Sequence, residues 1–253
     1  MGTEPLEQAA RAALDEVFDP ELDEPITDLG FVRSLEVSPS GVFTVHLRLP
    51  TSFCAPNFAY LMVADAKDAL SALPQATGVV VILDDHHDSD RINRGLAADA
   101  GYRGTFGDEA AQDLEELRLT FRRKAHTAAM ERALTALLRS DPDLAEQDLH
   151  EITLDDLPEA PATRALLRRR EAIGLSRAGG ARVLVDDHGS PYPRDEVPLR
   201  LRFARSVRIS IEGNAHFCRD LLRTRYPDSV HDQAPRARAG ARVGARDVQG
   251  ETP

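Results

Sequence analysis

The stretch that most restricts the fold is a strict alternation of apolar and polar residues. The two faces of this stretch read Phe43, Val45, Leu47 and Leu49 against Thr44, His46 and Arg48. A period of two predicts a β-strand with one buried face. A strand-like run through Val37 precedes it, and Ser38-Pro39-Ser40-Gly41 supplies the turn residues between the two. We therefore predict a β-hairpin near the start of the chain.

Helical and apolar patterns surround this hairpin. Amphipathic spacing predicts helices over residues 4–18 and 56–73, and a shorter helix ends near Asp99. The apolar run from Gly78 to Leu83 predicts a strand that is buried on both faces or central in the sheet. The order α-β-β-α-β-α within about 100 residues indicates a small two-layer domain of the α+β class.

The rest of the chain predicts a helix-rich α+β extension, residues 101–231. Residues 101–109 form a glycine-rich link, and helices are predicted over 109–140, 161–173 and 214–227. We predict strands over 181–187 and over 199–211, where apolar and polar residues alternate with one lapse at Arg205. Residues 232–253 have low complexity, and we predict a disordered tail there. The predicted divisions are therefore 1–100, 101–231 and 232–253.

The charge of the chain is concentrated at its front. The formal net charge is −11, and residues 1–100 carry all of it, with 17 acidic and 6 basic side chains. This acidic front disfavours nucleic acid as a partner. The arginines at 168–170, and Arg200, Arg202 and Arg208, are expected on solvated faces or docked against an acidic surface. No apolar run is long enough for a bilayer, and the N-terminus lacks the features of a secretory signal, so we expect a cytoplasmic location.

One of the two cysteines, Cys54, lies between the second strand and the following helix. Free backbone N–H groups and the helix dipole stabilise a thiolate at such a position. Thr51 and Ser52 are predicted to supply capping hydroxyls to that helix, and Asp28 to hydrogen-bond near the cysteine and fix its loop. A thiolate is required both in a metal ligand and in a nucleophile. A single thiol cannot close a zinc site or an iron–sulfur site, so the site would be open, shared or transient.

The front of the chain resembles a known family in three ordered motifs. These are "DPELDEPITDLGFVRSLEV", "PTSFC" at a helix entrance and "LPQATGVVVIL", followed by "HDSDRINRGLAAD". They resemble the metal–sulfur cluster assembly factors of the SufT/PaaD type, which are related to eukaryotic cytosolic iron–sulfur targeting factors. The resemblance covers residues 4–100. It implies a non-catalytic role, with the family's cysteine at Cys54, its acidic motif residues at Asp19, Glu21 and Asp28, and Gly30 in the turn. Phe53 stands where many bacterial members have glycine, and it could screen the thiol.

Other candidate residues have structural explanations that compete with a functional one. Asp19 is expected to cap the end of the first helical region. The histidines of "DDHHDSD", residues 84–90, are expected in a solvated loop. His216 and Cys218 are two apart, so on a helix they point about 200° apart and are not expected to share a metal. Cys218 is expected to be a partly buried cysteine, with a metal or redox role as the alternative, and a disulfide with Cys54 is disfavoured in a reducing cytoplasm.

Three functions follow from these observations. The first is an accessory factor that delivers iron–sulfur clusters or iron, held transiently, to a client metalloenzyme. Because PaaD-type members accompany an oxygenase system, a multicomponent iron oxygenase is one candidate client. The second is a thiol-dependent hydrolase or transferase that uses Cys54 and a histidine. The third is an interaction adaptor with an inert thiol. A homodimer, a client or a small thiol would complete the ligand set of Cys54, and the extension would recognise a partner.

Overall fold

Residues 3–110 and 114–234 are described in the computed structural model of the chain. The strands are β1 (Phe18–Asp19), β2 (Glu24–Pro25), β3 (Val32–Val37), β4 (Val42–Leu47) and β5 (Gly78–Leu83). The helices are α1 (Glu4–Leu14), α2 (Pro56–Ser71), α3 (Ser89–Ala97), α4 (Gly101–Phe106), α5 (Leu114–Ser140), α6 (Pro161–Ala172) and α7 (Val197–Arg225). Single turns of 3₁₀ helix span Gly107–Glu109, Glu146–His150, Leu154–Asp156, Arg194–Glu196 and Pro227–His231.

The α+β class and the predicted order of elements in the front domain are confirmed. Strands β3 and β4 form the antiparallel hairpin, and β5 pairs with β4 in parallel, so the sheet order is β3-β4-β5. The alternation in β4 buries Phe43, Val45 and Leu47 against the helices. The central position predicted for β5 is wrong, because the central strand is β4. As an edge strand β5 leaves Val80 exposed. Strands β1 and β2 form a small hairpin that was not predicted.

The extension is helical where it was predicted to contain strands. Residues 199–211 lie within α7, not in a strand. The buried residues of α7 follow the helical period across the whole helix: Val197, Leu201, Ala204, Ile211, Ala215, Arg219 and Leu222. The regular element runs for 29 residues, which is longer than a strand usually is. Residues 181–187 form only isolated bridges, because Val183, Leu184 and Val185 are all buried and do not alternate.

Two further predictions at the ends of the extension need correction. The glycine-rich link contains α4, whose Tyr102 and Phe106 rings pack on Tyr60. Residues 232–234 do not belong to a disordered tail, since Gln233 is buried and its Nε2 donates a hydrogen bond to the carbonyl of Arg219. The remainder of the predicted tail, 235–253, lies outside the described residues.

The apolar residues form two cores, and α7 contributes to both. The first core fills the space between the sheet and helices of the front domain, and it includes Ala215 and Leu222 of α7. The second lies among α5, α6 and the start of α7, with Leu149, Leu154, Val183 and Leu184 from the connecting segments. The division at residue 100 stays a prediction, since the last helix packs on both sides of it.

A buried cation links the front domain to the C-terminal residues. Arg48, one residue after β4, is 1% exposed although the alternation places it on the polar face. Its Nη1 atom lies 2.9 Å from a carboxylate oxygen of Asp228, its Nη2 contacts Asp232, and its Nε donates to the carbonyl of Gly30. Gly30 has φ of +76°, and a Cβ there would lie 2.8 Å from Cγ of Gln233. The turn at Gly30 therefore permits the C-terminal residues to approach Arg48.

Replacing Asp228 and Asp232 together should lower the free energy of unfolding more than replacing Arg48, the cation that they neutralise. The double variant Asp228→Asn/Asp232→Asn leaves the buried guanidinium without an anion, and we expect a loss of about 2 kcal/mol or more in the free energy of unfolding. Arg48→Met removes the cation itself and should cost less. Urea unfolding of both variants checks this order, and an equal or larger loss in Arg48→Met would contradict it.

His126 of α5 should make the protein sensitive to acid. The side chain is buried, and burial together with the charge of Arg170 lowers its pKa from 6.5 to about 4. The unfolded chain therefore binds this proton first, and stability is lost as pH falls from about 6.5 towards 4. We expect the advantage of wild type over His126→Gln to shrink by up to about 3 kcal/mol across this window. Urea unfolding at several pH values measures it, with the exposed His188→Gln as the control that should show no such trend.

Candidate functional site

The cysteine loop, residues Thr51–Ala55, joins the central strand to α2. Ala55 is the N-cap residue and Pro56 begins the helix, so Cys54 lies at the helix entrance, as the sequence indicates. The Cys54 side chain is half-buried, and its sulfur lies 3.5 Å from Oγ1 of Thr51. The thiol is therefore held by a hydroxyl contact in a residue that stays partly exposed.

The predicted capping by Thr51 and Ser52 is wrong. The helix has no side-chain cap, because its N-cap residue is Ala55, whose methyl group cannot accept a hydrogen bond. Oγ1 of Thr51 instead accepts the N–H of Phe53 at 3.2 Å, and the carbonyl of Ser52 accepts the N–H of His87 at 2.9 Å. Both residues shape the cysteine loop and do not terminate the helix.

His86 supports the cysteine loop. Its predicted position in a solvated loop is wrong. The side chain is 5% exposed. Its Nδ1 accepts the N–H of Asp88 at 3.1 Å, so Nε2 carries the proton and donates to the carbonyl of Cys54 at 2.8 Å. The parallel pairing of β4 with β5 would have indicated this contact, because the segments that follow parallel strands leave the same edge of the sheet.

Phe53, the residue before Cys54, is largely exposed. Its side chain is 79% exposed, and its ring stacks on His87 with the ring centroids 5.8 Å apart. An aromatic side chain beside the cysteine therefore faces solvent.

Helix α7 crosses the same end of the front domain. At its middle, Nδ2 of Asn214 lies 3.4 Å from a carboxylate oxygen of Glu21. Near its end, Nη1 of Arg225 donates to the carbonyl of Leu49 at 3.1 Å, and Nη2 contacts the carbonyl of Asp85. Cys218 lies one turn after Asn214 and about two turns before Arg225, on the face that carries both contacts.

Cys218 is half-buried and close enough to Cys54 for charge on one sulfur to affect the other. Burial is the largest cause that raises the pKa of the Cys218 thiol, to about 12, and the negative charges of Asp19, Cys54 and Glu21 add to it. Both cysteines pack against the first hydrophobic core. The negative charges of Asp19, Cys54 and Glu21 thus act on Cys218, which no spacing in the sequence indicated.

Asp19 does not cap the first helix, which ends five residues earlier at Leu14. It closes the turn after β1, where its Oδ1 accepts the N–H groups of Glu21 at 2.9 Å and Leu22 at 2.8 Å. Burial raises the pKa of Asp19 to about 6, against the effect of those two hydrogen bonds. A buried carboxyl group therefore lies near the thiols.

Asp28 contacts α7 and the C-terminal residues, and His216 lies on the exposed side of α7. The carbonyl of Asp28 accepts hydrogen bonds from Arg219 at 2.6 Å and from the N–H of Ala234 at 3.0 Å, which fix α7 and the C-terminal residues. His216 is exposed and lies 3.5 Å from Asp220 on its own helix.

Across residues 3–110 and 114–234, three or more potential metal ligands do not come close enough together to hold an ion. In the same ranges, no helix is both long and apolar enough to span a bilayer.

Comparison with known proteins places the cysteine loop within a family segment. The family of iron–sulfur cluster assembly proteins matches residues 7–81. An iron–sulfur cluster carrier protein of Mycobacterium leprae is 34% identical over 97 residues, which are 38% of this chain and 25% of the relative. Proteins of the same name from Mycobacterium bovis and Mycobacterium tuberculosis are 35% identical over 86 residues, 34% of this chain and 22% of theirs.

The chain spans about a quarter of the length of these curated relatives. No solved structure matches it. Residues 7–81, here called the family segment, are a metal–sulfur cluster assembly segment, which confirms the resemblance of the front domain. Cys54 lies inside the family segment, whereas His86 and Cys218 lie outside it.

Replacing His86 should loosen the cysteine loop. His86→Ala removes the donor to the Cys54 carbonyl and the acceptor for Asp88, so we expect a loss of about 1–3 kcal/mol in unfolding free energy and faster alkylation of Cys54. Iodoacetamide labelling with peptide mass analysis measures the rate. His87→Ala, which removes only the ring contact with Phe53, is the matched control. Equal labelling rates in the wild type and His86→Ala would show that His86 does not restrain the loop.

Proposed function

We propose that the chain is an accessory factor that assembles iron–sulfur clusters, or iron, for delivery to a client metalloenzyme, with Cys54 as the thiol that receives the cargo. The observation that carries the proposal is the position of Cys54: a half-buried, unpaired cysteine of the family segment, held at the entrance of α2. The names of the matched relatives support the same role.

The incomplete ligand set suits transfer. A structural metal site is closed by about four protein ligands, whereas a carrier must give up its cargo. Cys54 has a hydroxyl neighbour, Thr51, at 3.5 Å. External ligands from a client or another thiol would therefore complete the site and take the cargo with them. We further propose that the chain acts in the cytoplasm. An iron oxygenase is one candidate for its client.

A thiol-dependent enzyme has weaker support. Such an enzyme needs a histidine base in contact with the sulfur. His86 is the histidine that contacts Cys54 in the described ranges, and its ring bonds the backbone carbonyl and not the sulfur. Its second nitrogen is already occupied by the N–H of Asp88. This geometry provides a rigid loop and no proton acceptor for the thiol.

The extension would recognise the client. It exposes four large apolar side chains on α7, at Leu199, Phe203, Ile209 and Phe217. Exposed apolar groups on a docked helix are a common feature of interaction surfaces.

Cys54→Ser should abolish cargo transfer without unfolding the protein. The serine hydroxyl keeps the size of the side chain but removes the soft sulfur ligand, so we expect at least a tenfold loss in activation of a co-expressed iron–sulfur client. After anaerobic incubation with iron and sulfide, the absorption of a bound cluster should also be lost. Ser71→Ala, at the exposed end of α2, is the control. Full client activation by Cys54→Ser would overturn the proposal and favour an adaptor with an inert thiol.

A further inference from the structure

The outer edge of β5 has backbone groups that point away from the sheet. Strand β5 pairs with β4 on one side, and within residues 3–110 and 114–234 no strand pairs with its other side. The N–H of Asp84 donates to the carbonyl of Leu47 in β4. Because successive residues of a strand direct their N–H and C=O groups to opposite sides, those of Val79, Val81 and Leu83 point outward.

Side-chain and turn contacts close both ends of this edge and leave its middle open. The side-chain amide of Asn93 accepts the N–H of Leu83 at 2.9 Å and donates to the carbonyl of Leu83 at 3.1 Å, as a neighbouring strand would. At the other end, the N–H of Thr77 donates to a turn carbonyl at 2.9 Å. Leu83 is 1% exposed under the amide, whereas Val81 is 6% exposed. The open residues are therefore Val79 and Val81.

The two open residues are symmetric about an exposed valine. Val79 and Val81 flank Val80, whose side chain is 46% exposed. A two-fold axis at Val80 would place Val79 of one copy opposite Val81 of another in an antiparallel pair of strands. Each such pair exchanges two N–H···O=C hydrogen bonds, so the open residues of both copies are satisfied together. The two Val80 side chains then meet as the closer, non-hydrogen-bonded pair.

We propose that β5 pairs with β5 of a second copy of the chain, which joins the two three-stranded sheets into one sheet of six strands. Natural edge strands are usually protected by charged residues, proline or a bulge, and the strand Gly78–Leu83 has neither charge nor proline. The open backbone groups are complementary to their own two-fold image, which favours a second copy over a strand of another protein. The proposal is independent of the proposed function, since neither Cys54 nor its cargo takes part.

The charges beside the strand favour the antiparallel direction. Asp84 and Asp85 follow β5 directly, whereas Gln75 and Ala76 on its other side are uncharged. With the axis at Val80, each acidic end lies opposite the uncharged end of the second copy, since position 84 faces position 76. A parallel pair would instead bring the acidic ends of both copies together, and like charges side by side destabilise a sheet.

Charge reversal at the axis tests the proposal on the full chain. Sedimentation equilibrium of wild type should show a monomer that dimerises as the concentration rises, since a contact through one strand is small. Val80→Lys and Val80→Glu should each weaken dimerisation by about tenfold or more, because like charges then meet at the axis. An equal mixture of the two variants should dimerise again, since opposite charges then meet. Val230→Lys, at a similarly exposed valine, should dimerise like wild type.

Amide hydrogen exchange in wild type tests the same edge without any variant. The amides of Val79 and Val81 should exchange more slowly as the concentration rises, whereas the amide of Leu83, already bonded to Asn93, should not change. Wild type that stays monomeric at every concentration overturns the proposal, as does a dimer in which the Val79 and Val81 amides exchange as fast as in the monomer. If circular dichroism shows that the Val80 variants are unfolded, the exchange measurement on wild type decides.

Discussion

The guanidinium of Arg48 is a positive charge inside the protein, and its anionic partners come from about 180 residues later in the chain. A buried cation without a partner costs several kcal/mol, so the front domain depends on Asp228 and Asp232 at the opposite end of the sequence. The dependence also runs in the other direction, because Arg219 of α7 contacts Glu24 and the carbonyl of Asp28. These reciprocal contacts fix where the last helix lies, and the Arg219 contact neutralises one front-domain carboxylate, Glu24.

The same docking builds the candidate site. Once Arg219 and Arg48 hold α7 and the residues after it, the face with Asn214, Cys218 and Arg225 lies against the turn after β1 and the end of β4. Arg225 and Tyr226 then contact Asp85 in the segment that follows β5. The family segment contains Cys54, while the position of Cys218 is determined by ion pairs that join this segment to the C-terminal residues.

Local patterns in the sequence were sufficient for the front domain but not for the extension. The alternation in β4 and the helical spacing of α2 each follow from one buried face, so the hairpin and the position of Cys54 at a helix entrance could be predicted. In α7 the apolar residues at 199, 203 and 209 are exposed, and they imitate a strand period, whereas the residues that pack follow a helical one. The approach of Cys218 to Cys54, and the burial of Arg48, depend on contacts between distant segments that no local pattern contains.

The environment of the thiols explains how cargo could be both attracted and released. Asp19 and Glu21 place negative charge beside Cys218, which favours any cation that enters. The described residues nevertheless do not complete a ligand set, so a bound ion keeps open coordination positions. Under the proposed function, a client thiol can take those positions before Cys54 releases the ion, so exchange needs no fully dissociated intermediate. A closed four-ligand site within one chain would bind more tightly but would offer no such route.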